Sequence, residues 1–121
     1  MKISQLEKDQ LARLKRHTGI EHWNFLCRWA FNISLREKTR PPRTKISSDS
    51  NVEMTWKTFG GEHAGLYYDL LQLRCVEDGL TPDSETLYRE FRQHLKRGIG
   101  YLSSNKNIRS IRQLLNLAVP R

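Results

Sequence analysis

The sequence has few cysteines and lacks a long uninterrupted hydrophobic run. Cys27 and Cys75 stand far apart and belong to no CxxC motif or Cys/His quartet, which excludes a zinc ribbon and a disulfide framework. The most apolar stretch, residues 20–35, is interrupted by polar and charged residues, so we expect no membrane span. The N-terminus lacks the apolar core of a secretory signal. These absences favour a protein of the reducing cytoplasm.

Acidic residues are scarce relative to basic ones. The 121 residues contain 21 Lys+Arg against 13 Asp+Glu, a formal net charge of +8. The length and the 37% hydrophobic content fit one domain, 1–121, with a modest core. A basic excess of this size favours a polyanionic partner, because each cation that neutralises a phosphate releases a condensed counterion.

The spacing of apolar residues predicts a mainly α protein with about five helices in one compact, bundle-like domain. The helices are expected over about residues 3–17, 20–38, 63–78, 81–97 and 107–118. Gly98 and Gly100 are predicted to open a loop after the fourth helix.

One non-helical excursion is predicted near residues 44–58. Val52, Met54 and Trp56 alternate with polar residues, which is typical of a short strand. The strand is expected to form a β-hairpin with residues 44–47, to pair with another subunit, or to remain an extended excursion packed on the helices.

The second predicted helix is apolar on nearly every side. Such a helix needs burial on more than one side, so we expect a homo-oligomer with this helix at its centre. A narrow polar stripe contains Asn24, Arg28 and Asn32, and it predicts either a polar seam at the subunit interface or DNA contact by Arg28. The expected oligomer interface comprises Trp23, Leu26, Cys27, Arg28, Trp29, Ala30 and Ile33.

Half of the net charge lies in residues 36–45, the start of a basic, Pro-containing loop expected over 36–51. Five cations surround the stiff Pro41-Pro42 pair and repel one another, so they favour binding of a polyanion such as the DNA backbone. Further cations lie at the end of the first helix and along the fourth. The predicted DNA-binding residues are Lys15, Arg16, Arg36, Lys38, Arg40, Arg43, Lys45, Arg89, Arg92, Lys96 and Arg97.

No catalytic constellation is evident, and we expect no catalytic residue, metal or cofactor. The glycine pair before Glu62 lacks the lysine of a phosphate-binding loop, and the histidines are spread singly. Two alternatives stay open. One is a metal-dependent nickase or nuclease using Glu62, His63 and Asp69. The other is a helix-turn-helix transcriptional regulator, although residues 98–104 form a long connection for that motif.

Several landmarks together resemble the DNA sulfur modification protein family DndE over roughly residues 3–118. They are the block 14–35 with its Cys27-Arg28-x-Ala30 helix, Gly61-Glu62-His63, Asp78-Gly79-Leu80 and the His-Leu-x-Arg-Gly segment at 94–98. The resemblance implies a small helical accessory subunit of the system that replaces a non-bridging oxygen of the DNA backbone with sulfur. It carries over no catalytic residue.

The resemblance also implies partners. They are double-stranded DNA, intact or nicked, further copies of the chain, for example in a tetramer, and the other subunits of the system. Those subunits are a cysteine desulfurase, a pyrophosphatase-like protein and an ATPase.

Overall fold

The structure, a computed structural model, describes residues 1–104 and residue 112. The described part is mainly helical, as predicted. Its helices are α1 (Gln5–Thr18), α2 (Trp23–Arg36), α3 (Trp56–Gly60), α4 (Ala64–Glu77) and α5 (Ser84–Ser104), with a 3-10 turn at Gly61–His63. The helix predicted over 107–118 lies outside the described residues, apart from position 112. No helix in the described ranges is long and apolar enough to cross a membrane.

Helix α1 is bounded by residues with a strong local preference for helix ends. The Ser4 hydroxyl accepts a hydrogen bond from the amide of Glu7 at 3.0 Å, and the Glu7 carboxylate accepts one from the Ser4 amide at 2.9 Å. This reciprocal pair satisfies two amides that the first turn leaves unpaired. Gly19 ends the helix with φ of 75°, a conformation that glycine adopts without strain.

Helices α2 and α5 form the central pair of the fold. They cross so closely that a Cβ atom at position 98 would lie 1.8 Å from the carbonyl oxygen of Ala30. The loop predicted at Gly98 and Gly100 is therefore wrong, since α5 continues to Ser104. Tertiary contact outweighs the low helix propensity of glycine here, because only a residue without a side chain permits the crossing.

Residues 37–55 form the extended excursion, without a hairpin. An isolated antiparallel bridge joins Glu53 to Lys2, and the amide of Met54 donates to the carbonyl oxygen of Met1 at 2.8 Å. The N-terminal residues therefore take the place of the predicted partner, 44–47. Trp56 belongs to α3 because the Thr55 hydroxyl caps that helix.

Aromatic side chains fill the core between α2, α3, α4 and α5. Phe31 stacks on Phe91 with ring centroids 5.3 Å apart, and Phe59 meets Phe91 edge to face at 4.8 Å. Trp56 and Tyr67 close this cluster against α3 and α4. The cluster packs the C-terminal end of the excursion against the helices. Other contacts hold the basic part of the excursion, residues 37–48.

Candidate nucleic-acid interface

The basic part of the excursion, residues 37–48, lies along α5 and near the end of α4. Because it forms no regular structure, its backbone carbonyls need partners from elsewhere in the molecule. Side chains of α4 and α5 supply those partners, and most of the donors are arginines or a lysine. The same set of contacts determines which cations remain on the surface.

Arg74 is a buried anchor in α4. Its guanidinium pairs with the Asp78 carboxylate at 3.2 Å, one helical turn away. The two terminal nitrogens donate to three carbonyl oxygens at 2.7–2.9 Å, those of Leu35, Glu37 and Thr39. One side chain thus caps the end of α2 and fixes the first residues of the loop. Sequence reasoning missed it, although an arginine in an apolar helix with an aspartate four positions later was a signal.

Arg97 anchors the same corner from α5. It donates to the carbonyl oxygens of Ser34 at 2.7 Å and Thr39 at 2.9 Å, and to the Ser34 hydroxyl at 2.9 Å. That hydroxyl lies 2.8 Å from Nδ1 of buried His94. Burial lowers the pKa of His94 to about 3, and the charges of Arg74 and Arg97 add to the effect. The imidazole is therefore neutral, and its Nδ1 shares a hydrogen bond with the Ser34 hydroxyl.

The middle of the loop is held by two further residues of α5. The amide of Gln93 donates to the carbonyl oxygen of Thr44 at 2.6 Å and accepts from the Thr44 hydroxyl at 3.0 Å. Lys96 donates to the same hydroxyl at 2.9 Å and to the carbonyl oxygen of Lys45 at 3.1 Å. Lys96 and Arg97, both predicted to contact DNA, thus hold the loop through its backbone.

Arg92 lies inside the protein. Its side chain is 1% exposed and pairs with the Glu7 carboxylate at 3.4 Å. It also donates to the Ser47 carbonyl oxygen at 2.9 Å and to the Ser48 hydroxyl at 3.1 Å. Because it is buried in the interior, where it joins α5, α1 and the loop, Arg92 is not accessible for the predicted contact with DNA.

Two other predicted DNA-binding cations lie beside the buried carboxylate of Glu90. Arg40 contacts it at 3.0 Å and Arg89 at 4.0 Å. A buried carboxylate needs a cation to compensate its desolvation, so the two arginines carry out that structural role. Their guanidinium charge is partly neutralised before any ligand arrives.

The remaining loop cations are exposed. Arg36, Lys38, Arg43 and Lys45 all lie on the surface of one segment. In the described residues, no ion pair involves Lys38, Arg43 or Lys45, and Arg36 has partners of its own. Lys38, Arg43 and Lys45 are therefore exposed on a loop whose backbone is fixed by α4 and α5, and Arg36 precedes them at the end of α2.

The cations at the end of α1 form a separate group. Lys15 lies over the Trp23 ring with Nζ 4.2 Å from the ring centroid, a cation–π contact. Arg16 is exposed beside it. No hydrogen bond or ion pair in the described ranges joins these two residues to the loop.

Much of the predicted oligomer interface lies inside one protomer. Leu26, Cys27 and Ala30 are fully buried against the chain's own helices. The apolar character of α2 is met largely by α1, α3 and α5 of the same chain. These three residues are corrected from interface to core.

The polar stripe of α2 is a seam within the chain. Arg28 donates to the carbonyl oxygens of Phe59 and Thr58 at the end of α3. Asn24 donates to Thr58 as well, at 3.2 Å. Asn32 donates to the Tyr67 hydroxyl of α4 at 3.4 Å, so the seam lies between α2 and the chain's own α3 and α4, whereas the prediction placed it at a subunit interface.

The exposed side of α2 borders a short groove with a volume of about 480 Å³. Its apolar lining comes from half-buried Trp29 and Ile33 and exposed Phe25 of α2, with Tyr67 of α4. Arg28, Asn32 and Arg36 also line it. This groove is the part of the predicted interface that a second molecule can reach.

The groups suspected of catalysis, Glu62, His63 and Asp69, are all exposed on the surface. Glu62 and His63 form a pair 3.5 Å apart. In the described ranges, no three His, Cys, Asp or Glu residues are placed to hold a metal. Cys27 is a buried free thiol, and burial raises its pKa to about 12. Cys75 is also buried and free.

The helix-turn-helix alternative required a turn between residues 98 and 104. That segment is the last part of α5, so no such turn lies there. The second helix of that alternative, predicted over 107–118, lies outside the described residues apart from position 112.

Fold and surface together define a small helical domain in which a long helix carries a fixed basic loop. The family model of the DNA sulphur modification protein DndE matches residues 1–110, so the chain belongs to the DndE family, as the sequence landmarks predicted. The fold is similar to the crystal structure of DndE from Escherichia coli B7A, which is involved in DNA phosphorothioation modification. The two chains are 27% identical, the TM-score is 0.70, and the match covers 84% of this chain and 93% of the other. No curated protein matches the chain.

Proposed function

We propose that this chain is a non-catalytic accessory subunit of a DNA phosphorothioation system and that it binds the DNA backbone as a homo-oligomer in the cytoplasm. Membership of the DndE family supports a role in that system. One observation carries the DNA-binding part: Lys38, Arg43 and Lys45 are exposed on a loop whose backbone is fixed by α4 and α5.

Fixing the loop favours binding of a polyanion. A preordered loop loses little conformational freedom when phosphates bind, so more of the electrostatic attraction appears as affinity. Cations that contact phosphates carry no sequence information, so binding is indifferent to base sequence. Lys96 and Arg97 contribute indirectly, since they hold the backbone of the loop in place.

Self-association is assigned to the α2 groove. Phe25, Trp29 and Ile33 form an apolar strip there, and association through it combines the basic loops of several copies into one surface. Trp29→Asp is expected to give monomers in light scattering, whereas Leu6→Asp, an equally polar change at an exposed leucine of α1, is not. A Trp29→Asp protein that keeps the parental mass removes the groove from the interface.

A non-catalytic role is supported by the state of the reactive groups. Both thiols are buried, His94 is neutral and buried, and the Glu62–His63 pair is exposed to bulk water. A nicking assay on supercoiled DNA with Mg²⁺ or Mn²⁺ tests this part. Cleavage that Glu62→Gln abolishes would contradict it.

The direct test of the proposal is fluorescence anisotropy of the full chain with intact and nicked duplexes of unrelated sequence. The affinities are expected to agree among sequences and to fall steeply with salt, about 0.9 decades per decade of salt for each phosphate contact. Preference for nicked duplexes would place the chain at strand breaks. Absence of binding at low salt would refute the proposal.

A further inference from the structure

Helix α4 has an apolar face that nothing in the described chain covers. Leu66, Leu73 and Val76 are 57%, 56% and 57% exposed. Leu70 is half-buried beside them, so leucines recur along the face at steps of four and three residues. This spacing places them on one side of the helix, opposite the buried side of Leu71 and Cys75.

The charge around this face is opposite to that of the rest of the protein. His63 aside, the exposed charged residues between positions 62 and 77 are Glu62, Asp69 and Glu77. Arg74, the basic residue of α4, points inward to Asp78 and the loop. A chain of net charge +8 thus presents one helix that is both apolar and acidic.

This chemistry excludes two occupants. The carboxylates repel DNA, and the charged DNA backbone offers no apolar surface for the leucines to contact. A second α4 packed on the first would bring Asp69 and Glu77 of both copies together, and like charges across an interface oppose association. The complementary occupant is an apolar surface bordered by lysines and arginines.

We infer that the α4 face, Leu66, Asp69, Leu70, Leu73, Val76 and Glu77, is the docking site for a basic amphipathic helix of another protein subunit. Leucines at a four–three spacing receive the apolar stripe of a partner helix, and the two acids pair with cations at its edges. The inference rests on the proposed role as an accessory subunit. It gives the molecule two surfaces of opposite sign, one for DNA and one for a protein, so both partners can bind at once.

The test uses the full-length chain, tagged and co-expressed with the other protein subunits of the phosphorothioation system. Two double variants remove one property each: Leu66→Ser with Leu73→Ser removes apolar contact, and Asp69→Lys with Glu77→Lys reverses the charge. Matched controls are Leu6→Ser, at a leucine 61% exposed on α1, and Asp9→Lys with Glu21→Lys at exposed acids elsewhere.

Each α4 variant is expected to retain about one tenth or less of the amount of one subunit that the parental chain retains, while the controls retain the parental amount. The Leu66→Ser, Leu73→Ser protein is expected to bind DNA with unchanged affinity. Absence of DNA binding by the parental chain would instead contradict the proposed function. Failure of the inference and failure of the proposed function are therefore distinguishable.

Four results would overturn the inference. The first is that the parental chain retains no subunit, and the second is that the α4 variants retain as much as the parental chain. The third is that the α4 variants, each studied without other subunits, form an assembly of lower mass than the parental chain in light scattering, which would assign the face to a second copy. The fourth concerns a synthetic peptide of residues 105–121, which holds four cations and no acid. Binding of this peptide to the parental chain and not to the α4 variants would assign the face to the chain's own C-terminal segment.

Discussion

Gly98 of α5 lies against the carbonyl oxygen of Ala30 in α2, and a Cβ atom at position 98 would approach that oxygen to 1.8 Å. A backbone atom cannot move aside as a flexible side chain can. The contact therefore sets the distance between the two central helices. It also sets the position of the loop, because Arg97, the neighbour of Gly98, donates to Ser34 and Thr39.

The first prediction is that Gly98→Ala destabilises the protein by about 3 kcal/mol, since the added methyl group forces α2 and α5 apart. Gly100→Ala is the matched control. A Cβ at position 100 meets nothing within 4 Å, so alanine there is expected to stabilise α5 by about 0.5–1 kcal/mol. Urea unfolding of both variants measures the difference. Equal stabilities would contradict the close crossing.

Arg74→Met is expected to release the start of the loop, because methionine donates to none of the three carbonyl oxygens and leaves Asp78 unpaired. Breaking a buried ion pair of this kind destabilises by about 3–5 kcal/mol. Hydrogen exchange is expected to become faster in residues 37–45. Arg74→Lys restores little, because an ammonium cannot span the carboxylate and the carbonyls together. Arg16→Met, at an exposed site, is the control that leaves both quantities unchanged.

Stability is expected to fall as the pH drops from about 6.5 toward about 3. The folded-state pKa of His94, about 3, lies below its ordinary value of 6.5, so the unfolded chain binds one more proton within this range. The stabilisation is therefore complete above pH 6.5 and is lost on acidification. His94→Asn keeps a neutral polar group beside Ser34 and is expected to flatten the dependence of the unfolding free energy on pH. An unchanged slope would assign the acid sensitivity to other groups.

The two thiols are expected to resist alkylation in the folded protein. Burial holds the pKa of Cys27 near 12 and raises that of Cys75, so almost no thiolate is present at neutral pH. Mass spectrometry after iodoacetamide treatment is expected to show no adduct without denaturant and two adducts in guanidinium chloride. Rapid labelling of Cys27 in the folded state would contradict its burial.

Local patterns predicted most of the fold. The apolar periodicity of α1, α2 and α4 placed each helix within a few residues. Gly98 misled because a glycine that ends a helix and a glycine that permits a close crossing look alike in one sequence. The difference lies in Ala30, which is distant along the chain.

The site was only partly predictable for the same reason. The excess of positive charge identified the 36–51 loop, but Arg92 and Lys38 are equally basic in the sequence. Arg92 has a partner in Glu7, 85 positions away, and its role is visible only once α1 and α5 are packed. Side chains that support the loop from behind could not be separated from those exposed on it.

The most direct test of the account compares two triple variants that lose the same charge. Lys38→Ala, Arg43→Ala and Lys45→Ala remove the exposed loop cations, whereas Lys2→Ala, Arg13→Ala and Lys57→Ala remove three exposed cations elsewhere. Salt-series anisotropy with an intact duplex is expected to show weaker binding for the loop variant and a salt slope lower by about 2.7, three phosphate contacts at 0.9 each. The control is expected to stay near the parental slope. Equal losses in the two variants would mean that net charge alone attracts DNA, and would contradict a binding site on the loop.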